Sequence, residues 1–166
     1  IPLAENTFIP ENAPEYAVNE ALELRRSYMD FKGAPSPFEG QFTEEQQRLL
    51  KHGYYASVSY TDAQIGKLID ALDKNGLSDN TIIVLWGDHG LKLGEHNSWC
   101  KQTNFENDTR VPLIIVDPRM KSKNVKTDGL VEFVDIYPTL CDLAGLEIPK
   151  SLHGTSLKPL MENPEQ

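Results

Sequence analysis

Only two residues of 166 are cysteine, Cys100 and Cys141, so a disulfide scaffold is excluded. No run of 18 consecutive apolar residues occurs, which excludes a membrane-spanning helix. Positive charge is scarce: 16 Lys and Arg face 25 Asp and Glu, for a net charge of −9. That balance disfavours nucleic acid and anionic membrane surfaces, both of which want a basic face. An anionic substrate would therefore need local cations or a metal to attract it. There is no Walker loop, no dinucleotide fingerprint, no Gly-x-Ser-x-Gly nucleophile turn and no Cys/His spacing for structural zinc. No secretory signal pattern is visible; the chain opens on Ile1 rather than Met, so this says little about location.

What remains is a globular composition, 39% hydrophobic and 25% charged, long enough for one core of ordinary domain size. Residues 1–42 read as an irregular, proline-rich arm punctuated by Pro2, Pro10, Pro14, Pro35 and Pro37, with a short helix within 13–26. From residue 43 the pattern turns regular. Thr43-Glu44-Glu45-Gln46 is a capping box. It predicts a long helix whose apolar stripe is Leu50, Tyr54, Val58, Ile65, Leu68, Ile69 and Leu72, ended by Asn75-Gly76. Strands are predicted over 81–86, 111–116 and 129–134, and a helix over 136–144 with Asp135 as its N-cap. Strand and helix alternate, so the class is α/β, with residues 43–166 forming one unit of that kind.

The densest chemistry follows the first strand, in Gly87-Asp88-His89-Gly90-Leu91-Lys92-Leu93-Gly94. A carboxylate and an imidazole stand side by side at a strand end, where open α/β sheets bind ligands. Both are metal ligands, and the flanking glycines allow close backbone approach. Asp and Gly are also ordinary turn residues, so a plain polar turn fits these eight residues equally well. A Ca²⁺ ion takes about 6–8 oxygen ligands, more than this chain supplies, with Glu95 the nearest further carboxylate. Downstream stand His96, Cys100 and Lys101. A neighbouring ammonium can lower a thiol pKa, but no second feature makes Cys100 a nucleophile. Cys141, in an apolar helical stretch, reads as a small core residue.

Four stretches, in this order, resemble the sulfatases of the alkaline phosphatase superfamily, and within them the iduronate-2-sulfatase-like branch. They are Tyr54 to Gly66, Gly87-Asp88-His89-Gly90 through Gly94-Glu95-His96, Thr109-Arg110-Val111-Pro112-Leu113, and Val134-Asp135-Ile136-Tyr137-Pro138-Thr139-Leu140. The resemblance covers about residues 43–160 and, more weakly, the first 42. It implies part of a mostly parallel sheet flanked by helices, incomplete here. It implies that Asp88 and His89 are ligands of a divalent metal, usually Ca²⁺, and that Lys101 contacts the sulfate group. His96 faces substrate or is a bonded loop histidine; Arg110 is structural. The implied substrate is a sulfated carbohydrate or other sulfate ester. The implied compartment is periplasmic, extracellular or lysosomal.

The departures from the family are as informative. Sulfatases carry a Cys-x-Pro-x-Arg segment whose cysteine becomes formylglycine. Here Cys100 is followed by Lys-Gln-Thr-Asn and Cys141 by Asp-Leu-Ala-Gly, so formylglycine is not present in this chain. The chain therefore reads as the second half of a sulfatase catalytic domain, with half a metal site and no nucleophile, and by itself is expected to be inactive. A phosphatase or phosphodiesterase of the same superfamily, or a non-catalytic glycan-binding relative, are the alternatives.

Overall fold

A computed structural model describes residues 1–121 and 123–165, with Leu22 described by its backbone. The elements in chain order are α1 (Leu22–Ser27), α2 (Glu44–Lys74), β1 (Ile83–Trp86), β2 (Lys92–Leu93), β3 (Trp99–Cys100), α3 (Glu106–Thr109), β4 (Leu113–Val116), α4 (Ile136–Leu143) and α5 (Lys158–Glu162). Strands β1 and β4 pair with each other, and β2 and β3 form an antiparallel hairpin with Lys92 opposite Cys100 and Leu93 opposite Trp99. This is a partial α/β domain. By contact density the chain divides into two compact units, residues 1–70 with 85–113 and residues 71–84 with 114–166.

The start of α2 follows directly from its sequence. Thr43 Oγ1 accepts the Gln46 N–H at 3.2 Å, and Gln46 Oε1 accepts the Thr43 N–H at 3.0 Å. Two otherwise orphaned helix-start donors are thus satisfied reciprocally. The helix then runs for 31 residues, yet only Gln47 and Lys51 on it are buried. Its predicted apolar stripe stays half-buried or open, with Tyr54, Val58, Leu68 and Ile69 all exposed. The strands β1 and β4 are open as well, at Leu85, Trp86, Ile114 and Val116.

In the first unit the arm does much of the packing. Ala21, Leu24, Phe31, Ala34, Phe42 and Trp99 form one buried cluster. Phe42 stacks on Trp99 with ring centroids 5.5 Å apart, and on its other side Phe31 lies 5.7 Å away. The arm thus seats Trp99, and with it the hairpin β2–β3. Asn97 Nδ2 fixes the same hairpin to the arm by donating to Pro37 O at 2.7 Å and Gly40 O at 3.0 Å.

In the second unit α4 buries Ile136, Pro138, Thr139, Cys141 and Leu143. The strand predicted over 129–134 does not form: Leu130 is wholly exposed, and 133–135 is a single 3₁₀ turn. Without a partner strand to take its backbone groups, an apolar run alone does not make a sheet. Asp135 does not cap α4 with its side chain; its carboxylate accepts the N–H groups of Glu132 at 2.9 Å and Thr155 at 2.8 Å.

Candidate functional site

Strand β1 delivers the chain to Gly87, whose N–H donates to Pro112 O at 3.1 Å. The next residues leave the ladder, so the side chains of Asp88 and His89 emerge at the strand end. Asp88 is 85% exposed and His89 38%. The two face each other, His89 Nε2 lying 3.4 Å from Asp88 Oδ2. His89 Nδ1 is 2.8 Å from Gly90 O, so a proton on Nδ1 is donated to that carbonyl. Nε2 then presents a lone pair toward a carboxylate oxygen. Two acceptors at that separation repel unless a proton or cation lies between them, and an orienting bond on the far ring nitrogen is the usual arrangement of a metal-bound histidine. The pair therefore fits two donors of a divalent cation site. Among the described residues no group of three or more His, Cys, Asp and Glu side chains converges.

The loop is held by close backbone contact. Gly90 N–H donates to Asp108 O at 2.8 Å. A Cβ at Gly90 would lie 1.9 Å from Asn107 O, so only glycine permits that approach. His89 and Gly90 lie on an open cleft of about 520 Å³ that Tyr54, Glu106 and Arg110 also line. Arg110, which sequence alone assigns a structural place, is thus exposed on the same cleft as His89.

Lys101 lies beyond the hairpin. Its Nζ is 3.3 Å from Glu23 Oε2, and its carbonyl accepts the Asn19 side-chain amide at 3.0 Å. Among the described residues no hydrogen bond or ion pair joins Lys101 or His96 to Asp88 or His89. The His96 ring stacks on Phe105 at 4.4 Å, and its Nδ1 is buried with no hydrogen-bond partner among the described residues. Glu95 is turned inward to accept the Leu93 N–H at 2.6 Å. The backbone here is strained: His96, Asn97, Cys100 and Gln102 all have positive φ, between 54° and 79°. Such residues persist only where their surroundings over-determine them, and they cluster at functional sites.

The Cys100 thiol is not activated by Lys101. Burial, with the Glu23 carboxylate next in effect, pushes its pKa up to about 11. Because the thiol stays protonated far above neutral pH, iodoacetamide labelling of Cys100 in the folded protein is expected to climb about tenfold per pH unit between pH 7 and 10. Mass spectrometry of the modified peptide reads this, and a plateau near pH 8.5 would contradict it.

Sequence reading gave no role to Lys92, Thr103 and Asp108, which the structure joins in one hydrogen-bonded group. Lys92 is fully buried, and its Nζ reaches Asp108 Oδ2 and, at 3.1 Å, Thr103 Oγ1. A lysine in a two-residue strand and an aspartate 16 positions on carry no spacing signature, so only the fold reveals this pair.

The sulfatase family model matches residues 30–146. Mouse iduronate 2-sulfatase is 35% identical over 174 residues, covering 90% of this chain and 31% of that protein. Among solved structures, BT4656 in complex with its substrate D-glucosamine-2-N,6-O-disulfate superposes with a TM-score of 0.64 at 41% identity, covering 68% of this chain and 23% of the other. The phosphonate monoester hydrolase SpPMH from Silicibacter pomeroyi gives a TM-score of 0.68 at 34% identity, covering 75% and 24%. The chain thus spans a third or less of the length of these relatives. A match running unbroken from the end of the arm through α2, the Asp88–His89 loop and α4 makes this chain a member of the sulfatase family.

Proposed function

We propose that the polypeptide carrying this chain hydrolyses sulfate esters of a sulfated sugar, and that this segment supplies part of a divalent metal site and a sulfate-holding lysine. The observation that carries the reading is the Asp88–His89 pair, two facing donors at the end of β1 of which His89 lines an open cleft. Asp88 and His89 would hold the cation, Ca²⁺ in this reading, together with donors from outside the described residues. When bound, such a cation neutralises negative charge on the ester oxygens. Lys101 donates to a sulfate oxygen; a compact ammonium suits that task, and Glu23 keeps it aimed until substrate arrives. His96, whose ring stacks on Phe105, would face substrate in this reading. The nucleophile, formylglycine in this reading, comes from a part of the relatives that this chain does not span, because Cys100 is a protonated, half-buried thiol and Cys141 is buried. The sugar class rests on the iduronate 2-sulfatase and glucosamine disulfate relatives. The implied compartment is periplasmic, extracellular or lysosomal.

The likeness to a phosphonate monoester hydrolase favours a second reading, phosphoryl rather than sulfuryl transfer at the same pair. Sulfate release from glucosamine and uronate sulfates, measured by ion chromatography beside turnover of a phosphonate monoester, separates the two. The expected result is sulfate release that Lys101→Ala lowers by about 10²–10³ in kcat/KM, the cost of losing one aimed donor. Turnover of the phosphonate monoester alone would overturn it. Residues 1–166 alone are expected to release no sulfate, and turnover by them would overturn the external nucleophile.

A further inference from the structure

The Lys92–Asp108 pair takes no part in the chemistry proposed above, yet its contacts reach both ends of the candidate site. Lys92 lies on β2 opposite Cys100, the residue before Lys101. Its ammonium donates to Asp108 Oδ2 and to Thr103 Oγ1. The same carboxylate oxygen accepts the Thr103 N–H at 2.7 Å and the Thr103 hydroxyl at 2.7 Å. Asp108 then accepts the Gly90 N–H through its own carbonyl at 2.8 Å. One residue, Asp108, is thus the junction between Thr103, two past Lys101, through its carboxylate and Gly90, one past His89, through its carbonyl.

We propose that Lys92 and Asp108 are positioning residues, a buried clamp that sets the Asp88–His89 loop and the Lys101 turn relative to each other. The reading of what these two ends do rests on the proposed sulfatase function; the clamp itself does not.

Stability is a poor account of the pair. Removing two charges from water costs several kcal/mol per ion, and a well-packed apolar pair of similar volume often holds a core as well. The clamp is also incompletely compensated, because Asp108 Oδ1 is buried without a hydrogen-bond partner among the described residues. What charged hydrogen bonds add is direction. Direction is needed here: Cys100 and Gln102, on either side of Lys101, both sit at positive φ, 67° and 79°. That strained turn must be restrained from outside, and Thr103, held three ways, is the next residue along.

Native-state hydrogen exchange of the full-length polypeptide, resolved amide by amide by fragmentation mass spectrometry, tests the clamp. The reporters are the Gly90 and Thr103 N–H groups; Gln47, whose N–H donates to Thr43 O in α2 of the same compact unit, is the control. Two variants are compared with the parent chain, Asp108→Asn and the double variant Lys92→Met with Asp108→Leu. The double variant leaves no buried charge behind and keeps the test alive if Asp108→Asn does not fold. Expected is a rise of about tenfold or more in exchange at Gly90 and Thr103, with Gln47 within about twofold. A merely structural pair would raise all three together, and a pair without coupling would leave Gly90 unchanged in the folded double variant; either result overturns the proposal. No sulfate ester enters the measurement. Failure of the clamp therefore leaves the sulfatase reading standing, and failure of sulfate release leaves the clamp standing.

Discussion

Asp88→Ala in the full-length polypeptide is expected to lower sulfate release by about 10³ or more while leaving the melting temperature in chelator unchanged, since a bound cation would itself stabilise the fold. The two halves of that expectation have separate causes. A metal ligand contributes charge stabilisation of several kcal/mol in the transition state, and about 4 kcal/mol already corresponds to a thousandfold in rate. The same carboxylate contributes little to folding, because it is 85% exposed and its neighbour His89 is its only ionic contact among the described residues. Exposed substitutions away from special features stay within about 0.5 kcal/mol. Asp88→Asn keeps one oxygen donor without the charge and is expected to fall between. Steady-state kinetics with added Ca²⁺, a calcium titration by calorimetry and a thermal melt check this together. A variant that retains activity would overturn the proposed role of Asp88 as a metal ligand. A variant that loses activity only because it melts early would make the residue structural.

How far the sequence speaks depends on the range over which each feature is determined. The start of α2 is legible because Thr43 and Gln46 determine it between themselves, over four residues. That Asp88 and His89 adjoin is legible, but that their side chains face each other is not, because consecutive side chains on an extended chain point apart and only the turn after β1 brings them together. The stripe Tyr54, Val58, Ile65 and Leu68 is legible as a pattern, but not as a buried face, since the pattern says nothing about what covers it. The 129–134 run was legible only as apolar; a strand also needs a neighbour with free backbone groups, which no local signal reports. The arm presents the reverse case. Its prolines announce irregular structure, whereas the burial of Ala21, Leu24, Phe31, Ala34 and Phe42 around Trp99 depends on contacts across up to 78 residues of chain and leaves no period to read. Lys92 and Asp108 lie at the same extreme. A lysine is ordinarily exposed, so its type argues against the place it occupies, and only the carboxylate brought by α3 makes that burial tolerable.

Gly90→Ala is expected to damage the fold and the site at once, in contrast to Gly87→Ala three residues earlier. At Gly90 the new methyl would sit 1.9 Å from Asn107 O and 2.8 Å from its carbonyl carbon, both backbone atoms of the turn that carries Asp108. Neither can swing aside as a side chain does. Either the turn retreats or the Gly90 N–H to Asp108 O bond is lost, and both release the loop that bears His89. Overpacking of this kind costs about 1–3 kcal/mol, occasionally more. For a chain of this size that corresponds to a fall of roughly 2–4 °C in melting temperature for each kcal/mol. At Gly87 the nearest neighbours of a methyl would be side-chain atoms, Val111 Cβ at 3.3 Å and Pro112 Cδ at 3.6 Å, which a small adjustment accommodates. Its cost is expected to stay below about 1 kcal/mol. Thermal melts of the two variants side by side, with sulfate release from the full-length polypeptide, read the difference. If alanine at 90 melted with the parent protein and kept its turnover, the carbonyl of Asn107 would have to yield without cost, and the close approach at Gly90 would not be what holds the Asp88–His89 loop in place.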